Sequence, residues 1–123
     1  MARFLRFWFP VIIYSGIIFY VSSIPNLQAP FGIFNIDKII HILEYTLFGF
    51  LLARAIILSG HVSSKNVIWA LVMAGSFLYG LSDEYHQSFV IGREASWGDL
   101  LADMVGGSLG AMVYQNRGQR PIL

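Results

Sequence analysis

The stretch Asp37–Leu58, DKIIHILEYTLFGFLLARAIIL, decides how the chain is read. Its first two turns carry Asp37, Lys38, His41 and Glu44, whereas Arg54 is the one charge in the remaining turns. Asp37, His41, Glu44, Tyr45 and Phe48 recur at intervals of three and four, which puts them on one stripe of an α-helix. At about 1.5 Å per residue the segment can cross the roughly 30 Å of a bilayer's hydrocarbon. A long apolar helix charged at one end is expected to turn that polar stripe away from lipid, because an ionisable group in hydrocarbon costs about 2.5–3.5 kcal/mol near the centre.

Composition points to the same solvent. Of 123 residues, 56% are hydrophobic and 12% charged, and the mean hydropathy is +0.63; soluble domains carry about 25% charged residues. The length suits a single domain, 1–123. Absence of cysteine removes disulfides and thiolate chemistry. With a net charge of +1 and scattered Lys and Arg, neither a nucleic-acid tract nor a polybasic lipid patch is supported, so nucleic acid is not an expected partner.

Three further segments can span. Phe7–Ile24, FWFPVIIYSGIIFYVSSI, comes after Arg3 and Arg6 without a charge of its own. It exceeds the apolar core of a cleaved leader and lacks a small-x-small site, so a retained helix is expected, with Pro10 in its first turn. Pro25, Pro30 and Gly32 mark the next connection, and SGHVSSKN a polar turn later. Segments 67–85 and 99–115 complete the set, with Trp97 and Tyr114 as interfacial anchors. The expected fold is all-α: an integral membrane four-helix bundle with helices near 7–24, 37–58, 67–85 and 99–115.

Lysine and arginine orient it. With the N-terminus inside, Arg3, Arg6, Arg54, Lys65, Arg117 and Arg120 are cytoplasmic, against Lys38 and Arg93 outside. An N-in/C-in topology places all seven acidic residues on the outer side: Asp37, Glu44, Asp83, Glu84, Glu94, Asp99 and Asp103. Glu44 is about 10 Å along its helix from Asp37, and Asp103 about 6 Å from Asp99, near the phosphate layer of the outer leaflet.

Helical spacing turns this charge into a candidate site. Asp99, Asp103, Gly106, Gly107 and Gly110 share one stripe above a GxxxG seam that packs either within the chain or between chains. Glu84 and Gln87 are one turn apart. Lys38 and Arg93 are the candidate phosphate clamps. In one scheme His41, oriented by Glu44, is the general base or nucleophile; in the other, Asp83, Glu84, Asp99 and Asp103 hold a hard divalent cation such as Mg2+ or Ca2+ against a phosphate. Residue types and spacing leave both schemes open. Each residue also has a structural reading: His41 as a core histidine, Asp37 with Lys38 as a helix cap, Arg93 as a loop staple to Glu94 or Asp99, Asp83, Glu84 and His86 as a solvated rim. His61 and Glu94 read as loop residues. A proton or ion path is disfavoured, since the inner half offers Arg54 and no continuous relay.

DKIIHILEYTLFGFLL and YGLSDEYHQSFVIGREASWGDLLADMVGGSLG resemble the VanZ-like family of small bacterial membrane proteins over essentially the whole chain. Asp37, Lys38, His41 and Tyr45 match its D-K-x-x-H-x-x-x-Y pattern; Glu84, Gln87, Gly92, Arg93, Asp99 and Gly106 match E-x-x-Q…G-R…D…G. Many relatives carry asparagine where this chain has Asp103, which favours a hydrogen-bonding role there. The resemblance implies a multi-pass protein of the bacterial inner membrane, associated with glycopeptide resistance, chiefly to teicoplanin, and grouped with enzymes acting on phosphate-linked lipid head groups. The expected function is therefore an outward-facing site for a lipid phosphate or pyrophosphate, on a membrane lipid or lipid-linked cell-wall precursor, which it hydrolyses or exchanges. In it Lys38 and Arg93 clamp, His41 and Glu44 act as base or nucleophile, Glu84, Gln87 and Asp99 position water or metal, and Asp37, Tyr45, Asp83 and Asp103 support. The rival expectation is a non-enzymatic binder of a glycopeptide or partner protein.

Overall fold

A computed structural model describes residues 1–26 and 36–117. Four helices account for most of them: α1 (Ala2–Ser22), α2 (Ile36–Ser59), α3 (Lys65–Gln87) and α4 (Trp97–Arg117), with no strand among the described residues. Pro30, Gly32 and Arg120 lie outside the described residues.

α1 starts well before the expected Phe7, so Pro10 falls inside the helix rather than in its first turn. The ring removes one N–H from the ladder and leaves the Arg6 carbonyl without its usual partner. α1 and α2 are each long and apolar enough to cross a membrane. α3 and α4 are as long, but the buried Asp83, Glu84, Gln87, Asp99 and Asp103 at their site-facing ends make them more polar.

Around an apolar core, large apolar side chains also face outward on all four helices, and the acidic ones turn inward at one end. Phe9, Ile12 and Ile17 of α1, Leu43 of α2, Leu78 of α3 and Leu101 of α4 are exposed, whereas Asp83, Glu84, Asp99 and Asp103 are buried. An outer surface this apolar is costly in water and comfortable in lipid.

The helices run up and down in turn. α2 and α4 are therefore parallel, and they form the most intimate contact because both are shaved down where they meet. A Cβ at Gly106 would stand 2.5 Å from the Ile42 carbonyl oxygen; one at Gly110 would fall on the Thr46 carbonyl, and one at Gly49 on the backbone of Gly107. The glycine seam thus packs within the chain, backbone against backbone, as small residues permit between membrane helices. α3 covers the same seam from the side, its Ser76 occupying the space above Gly107. α1 is held by longer reaches: Trp8 Nε1 donates to Ser59 Oγ (3.0 Å), Tyr14 Oη to the Glu44 carbonyl (2.7 Å) and Tyr79 Oη to the Ser15 carbonyl.

Up-and-down topology also sorts charge. All seven acidic residues gather where α1 and α3 finish and α2 and α4 begin, while Arg3, Arg6, Lys65 and Arg117 lie at the other end. Asp37 and Asp99 occupy the first turns of α2 and α4, where the positive end of the helix dipole favours a carboxylate.

Candidate functional site

Parallel packing at the glycine seam brings the two polar stripes level. Residues about sixty apart in sequence face each other in pairs, and the helices are close enough for short aspartate side chains to bridge them. Lys38 Nζ bonds the Asp99 carboxylate and, at 2.9 Å, Asp37 Oδ2. One turn deeper, His41 Nδ1 lies 2.8 Å from Asp103 Oδ1. The opposite ring nitrogen, Nε2, is 3.8 Å from Asp99 Oδ2, too far for a hydrogen bond. Asp103 is fully buried and Asp99 is 6% exposed.

The carboxylate that meets the His41 ring is thus Asp103, where the spacing suggests Glu44. A residue one turn away on the same helix lies beside a side chain, whereas a residue on the facing helix can lie in front of it. Glu44 is half-buried, within electrostatic reach of Arg93, and gives its backbone carbonyl to Tyr14.

α3 divides its polar residues between two directions. Glu84 turns toward α4: its Oε2 accepts from the Ser96 backbone N–H at 2.7 Å, and it converges with His41 and Asp99, whose donor atoms all lie within 4.8 Å of one another. Asp83 turns toward α1: Gln87 Nε2 donates to Asp83 Oδ2 (3.0 Å) and to Ser22 Oγ (3.3 Å). Gln87 is accordingly paired with Asp83 rather than with Glu84. The group whose donor atoms lie close enough together to hold a metal is His41, Glu84 and Asp99, which shares Glu84 and Asp99 with the four carboxylates read from spacing. His86 is not rim solvation either; its Nε2 is 2.8 Å from Ser23 Oγ and its ring stacks on Phe19 at 4.3 Å.

Beneath the cluster Tyr45, Phe48 and Tyr79 form an aromatic floor with ring centroids 5.2–6.4 Å apart. It separates the polar end from the aliphatic interior around Leu52, Ile68 and Val72.

Two supporting devices escape a reading by composition and spacing. Ser96 caps α4, its Oγ accepting from the Gly98 N–H at 3.1 Å while its own N–H holds Glu84. The signal is present as S-W-G-D, the serine-x-x-acid spacing of a helix start. Asn26, at φ 55°, donates its N–H to the Ile91 carbonyl (2.9 Å) and packs against Gly92, itself at φ 75°. A side chain at 92 would both strain that φ and strike Asn26, which explains a glycine immediately before Arg93. Arg93 is half-buried in this α3–α4 loop, its N–H closing a turn on the Val90 carbonyl at 3.1 Å.

A cleft of about 300 Å³ opens between the end of α3 and the start of α4. Leu81, Tyr85, Trp97 and Leu100 make it apolar, and Glu84 with Ser96 supplies its polar part. Tyr85 and Trp97 are 70% and 76% exposed, so the cleft opens on the bundle's apolar outer surface.

Against known proteins, a family model described as VanZ/LLP1 matches residues 3–118. No curated protein and no solved structure matches the chain.

Proposed function

The chain belongs to the VanZ/LLP1 family, and from that premise we propose that it spans the bacterial inner membrane four times, N-in/C-in, and binds the phosphate or pyrophosphate head group of a membrane lipid or lipid-linked cell-wall precursor at its outer end. The observation that carries this reading is a buried polar cluster, reached through an apolar cleft from a lipid-compatible surface. An amphiphile has that same division: its chain suits Leu81, Tyr85, Trp97 and Leu100, and its head would enter at Glu84, the cluster residue that lines the cleft. The cleft meets the cluster at Glu84, whose Oε1 is buried with no hydrogen-bond partner among the described residues.

The reaction suited to the site is displacement at phosphorus, giving hydrolysis or exchange of the head group. Water or an alcohol oxygen bonds to phosphorus, the lipid-side P–O bond breaks, and the proton lost by the incoming oxygen ends on the leaving one. The corresponding physiological role is in cell-envelope lipid metabolism, with teicoplanin susceptibility as the phenotype to score.

The test uses the full chain in nanodiscs, offered radiolabelled phosphatidic acid, polyprenyl pyrophosphate and, as a neutral control, diacylglycerol. Retention of the phosphate-bearing lipids, weakened at least tenfold by Lys38→Ala, is the expected result. Equal retention of diacylglycerol sinks the head-group reading. Release of labelled phosphate separates an enzyme from a site that only holds its ligand.

A further inference from the structure

A phosphate approaching this end of the bundle meets mostly negative charge. Six carboxylates, those of Asp37, Glu44, Asp83, Glu84, Asp99 and Asp103, stand near the site, against Lys38, Arg93, His41 and His86. Lys38 is already engaged by Asp37 and Asp99. Four of these carboxylates are buried, where an uncompensated charge is expensive and a second anion more so. A cation bridging carboxylates and phosphate resolves the conflict, as it does in many phosphate sites.

We propose that His41 Nε2, Asp99 and Glu84 hold a divalent metal ion, which then receives the lipid phosphate. The first clause stands on the site alone; the second rests on the head-group reading above. Three independent features support the metal. First, His41 is arranged as a ligand: Asp103 takes Nδ1, which fixes the ring and leaves Nε2 on the side of Asp99, the carboxylate–histidine–metal arrangement. Second, the spacing suits it. Donors each about 2.1–2.4 Å from one ion lie roughly 3.0–3.9 Å apart at ordinary coordination angles, and Nε2 to Asp99 Oδ2 is 3.8 Å. Third, Glu84 is 6% exposed, its Oε1 has no hydrogen-bond partner among the described residues, and the residue offers a carboxylate oxygen within 4.8 Å of the His41 and Asp99 donor atoms. With an imidazole among the donors, Mn2+ or Zn2+ is favoured over the Mg2+ or Ca2+ suggested by carboxylates alone. Asp103 is a positioning residue: it acts through the histidine.

The experiment titrates Mn2+ into chelator-stripped full-length protein in nanodiscs, read by loss of the aqueous Mn2+ paramagnetic resonance signal, with Zn2+ as competitor. One saturable site is expected. His41→Gln and Asp99→Asn should each weaken it at least tenfold, Asp103→Leu by about 10–100-fold with the stoichiometry retained, and Glu94→Gln, in the exposed loop, not at all. Wild-type protein that shows no saturable site for either ion overturns the proposal whatever the variants do, and so does a site indifferent to both His41→Gln and Asp99→Asn. A parallel arm adds phosphatidic acid with and without Mn2+. Lipid binding that needs the ion supports both clauses. Undiminished lipid binding in chelator overturns the bridging role and leaves the head-group reading standing; metal binding with no preference for phosphate-bearing lipid overturns the head-group reading and leaves the metal site standing.

Discussion

At the scale of single residues, Asp99 and Asp103 do different work four positions apart. Asp99 is neutralised by Lys38, so Lys38→Ala leaves a buried carboxylate uncompensated. The expected cost is about 1–3 kcal/mol, below the 3–5 kcal/mol of a fully buried pair because the Lys38 side chain is 31% exposed. Adding Asp99→Asn should recover much of that loss, and a double-mutant cycle on thermal midpoints in detergent checks it. Additive losses would mean that the pair is incidental. Asp103 accepts from His41 at a fully buried position. Asparagine keeps an acceptor there, so Asp103→Asn should fold nearly as well as the parent. Asp103→Leu should lose about 1–3 kcal/mol by stranding the ring nitrogen, and equal midpoints for the two variants would contradict that role.

Elements set which residues can meet. The α2–α4 seam is backbone against backbone, so an added methyl has nowhere to go. Gly106→Ala and Gly110→Ala should each cost about 1–3 kcal/mol by overpacking and should disturb the site too, since the same approach brings His41 to Asp103. Gly16 in α1 has open space around its Cβ position; Gly16→Ala should be neutral or stabilise by up to about 1 kcal/mol through helix propensity. Thermal midpoints of the three variants decide the matter, and a Gly110→Ala protein as stable as Gly16→Ala would refute the seam. α1 contributes Val11, Ile18 and Ser22 to the interior, half-buries Trp8, Tyr14 and Ser15 against its neighbours, and leaves an apolar face with Phe9, Ile12, Ile13 and Ile17 exposed, which suits a helix with one side to lipid.

For the whole molecule the decisive property is the separation of acid from base along the bundle axis. It makes the N-in/C-in orientation testable, and a chain without cysteine is ready for single-cysteine labelling. Glu94→Cys, in the loop at the acidic end, should react in intact cells with a membrane-impermeant maleimide. Ser63→Cys, in the exposed turn between α2 and α3, should react after permeabilisation. The reverse pattern would put the site on the cytoplasmic face, and labelling of both in intact cells would contradict a span by α3.

The sequence by itself determined four helical segments, the gathering of acid at one end and the glycine stripe of α4, because each is a matter of local hydropathy and a 3.6-residue period. It also carried the family motifs. Only the tertiary structure decided that the glycines meet α2 of the same chain, that His41 is answered by Asp103, that Gln87 belongs to Asp83, and that Glu84 joins His41 and Asp99. Helical periodicity says which face a residue occupies. Which side chain stands opposite depends on the level at which two helices pack, and here that level is set by backbone contact at Gly49, Gly106, Gly107 and Gly110, a property of the pair that neither helix holds alone.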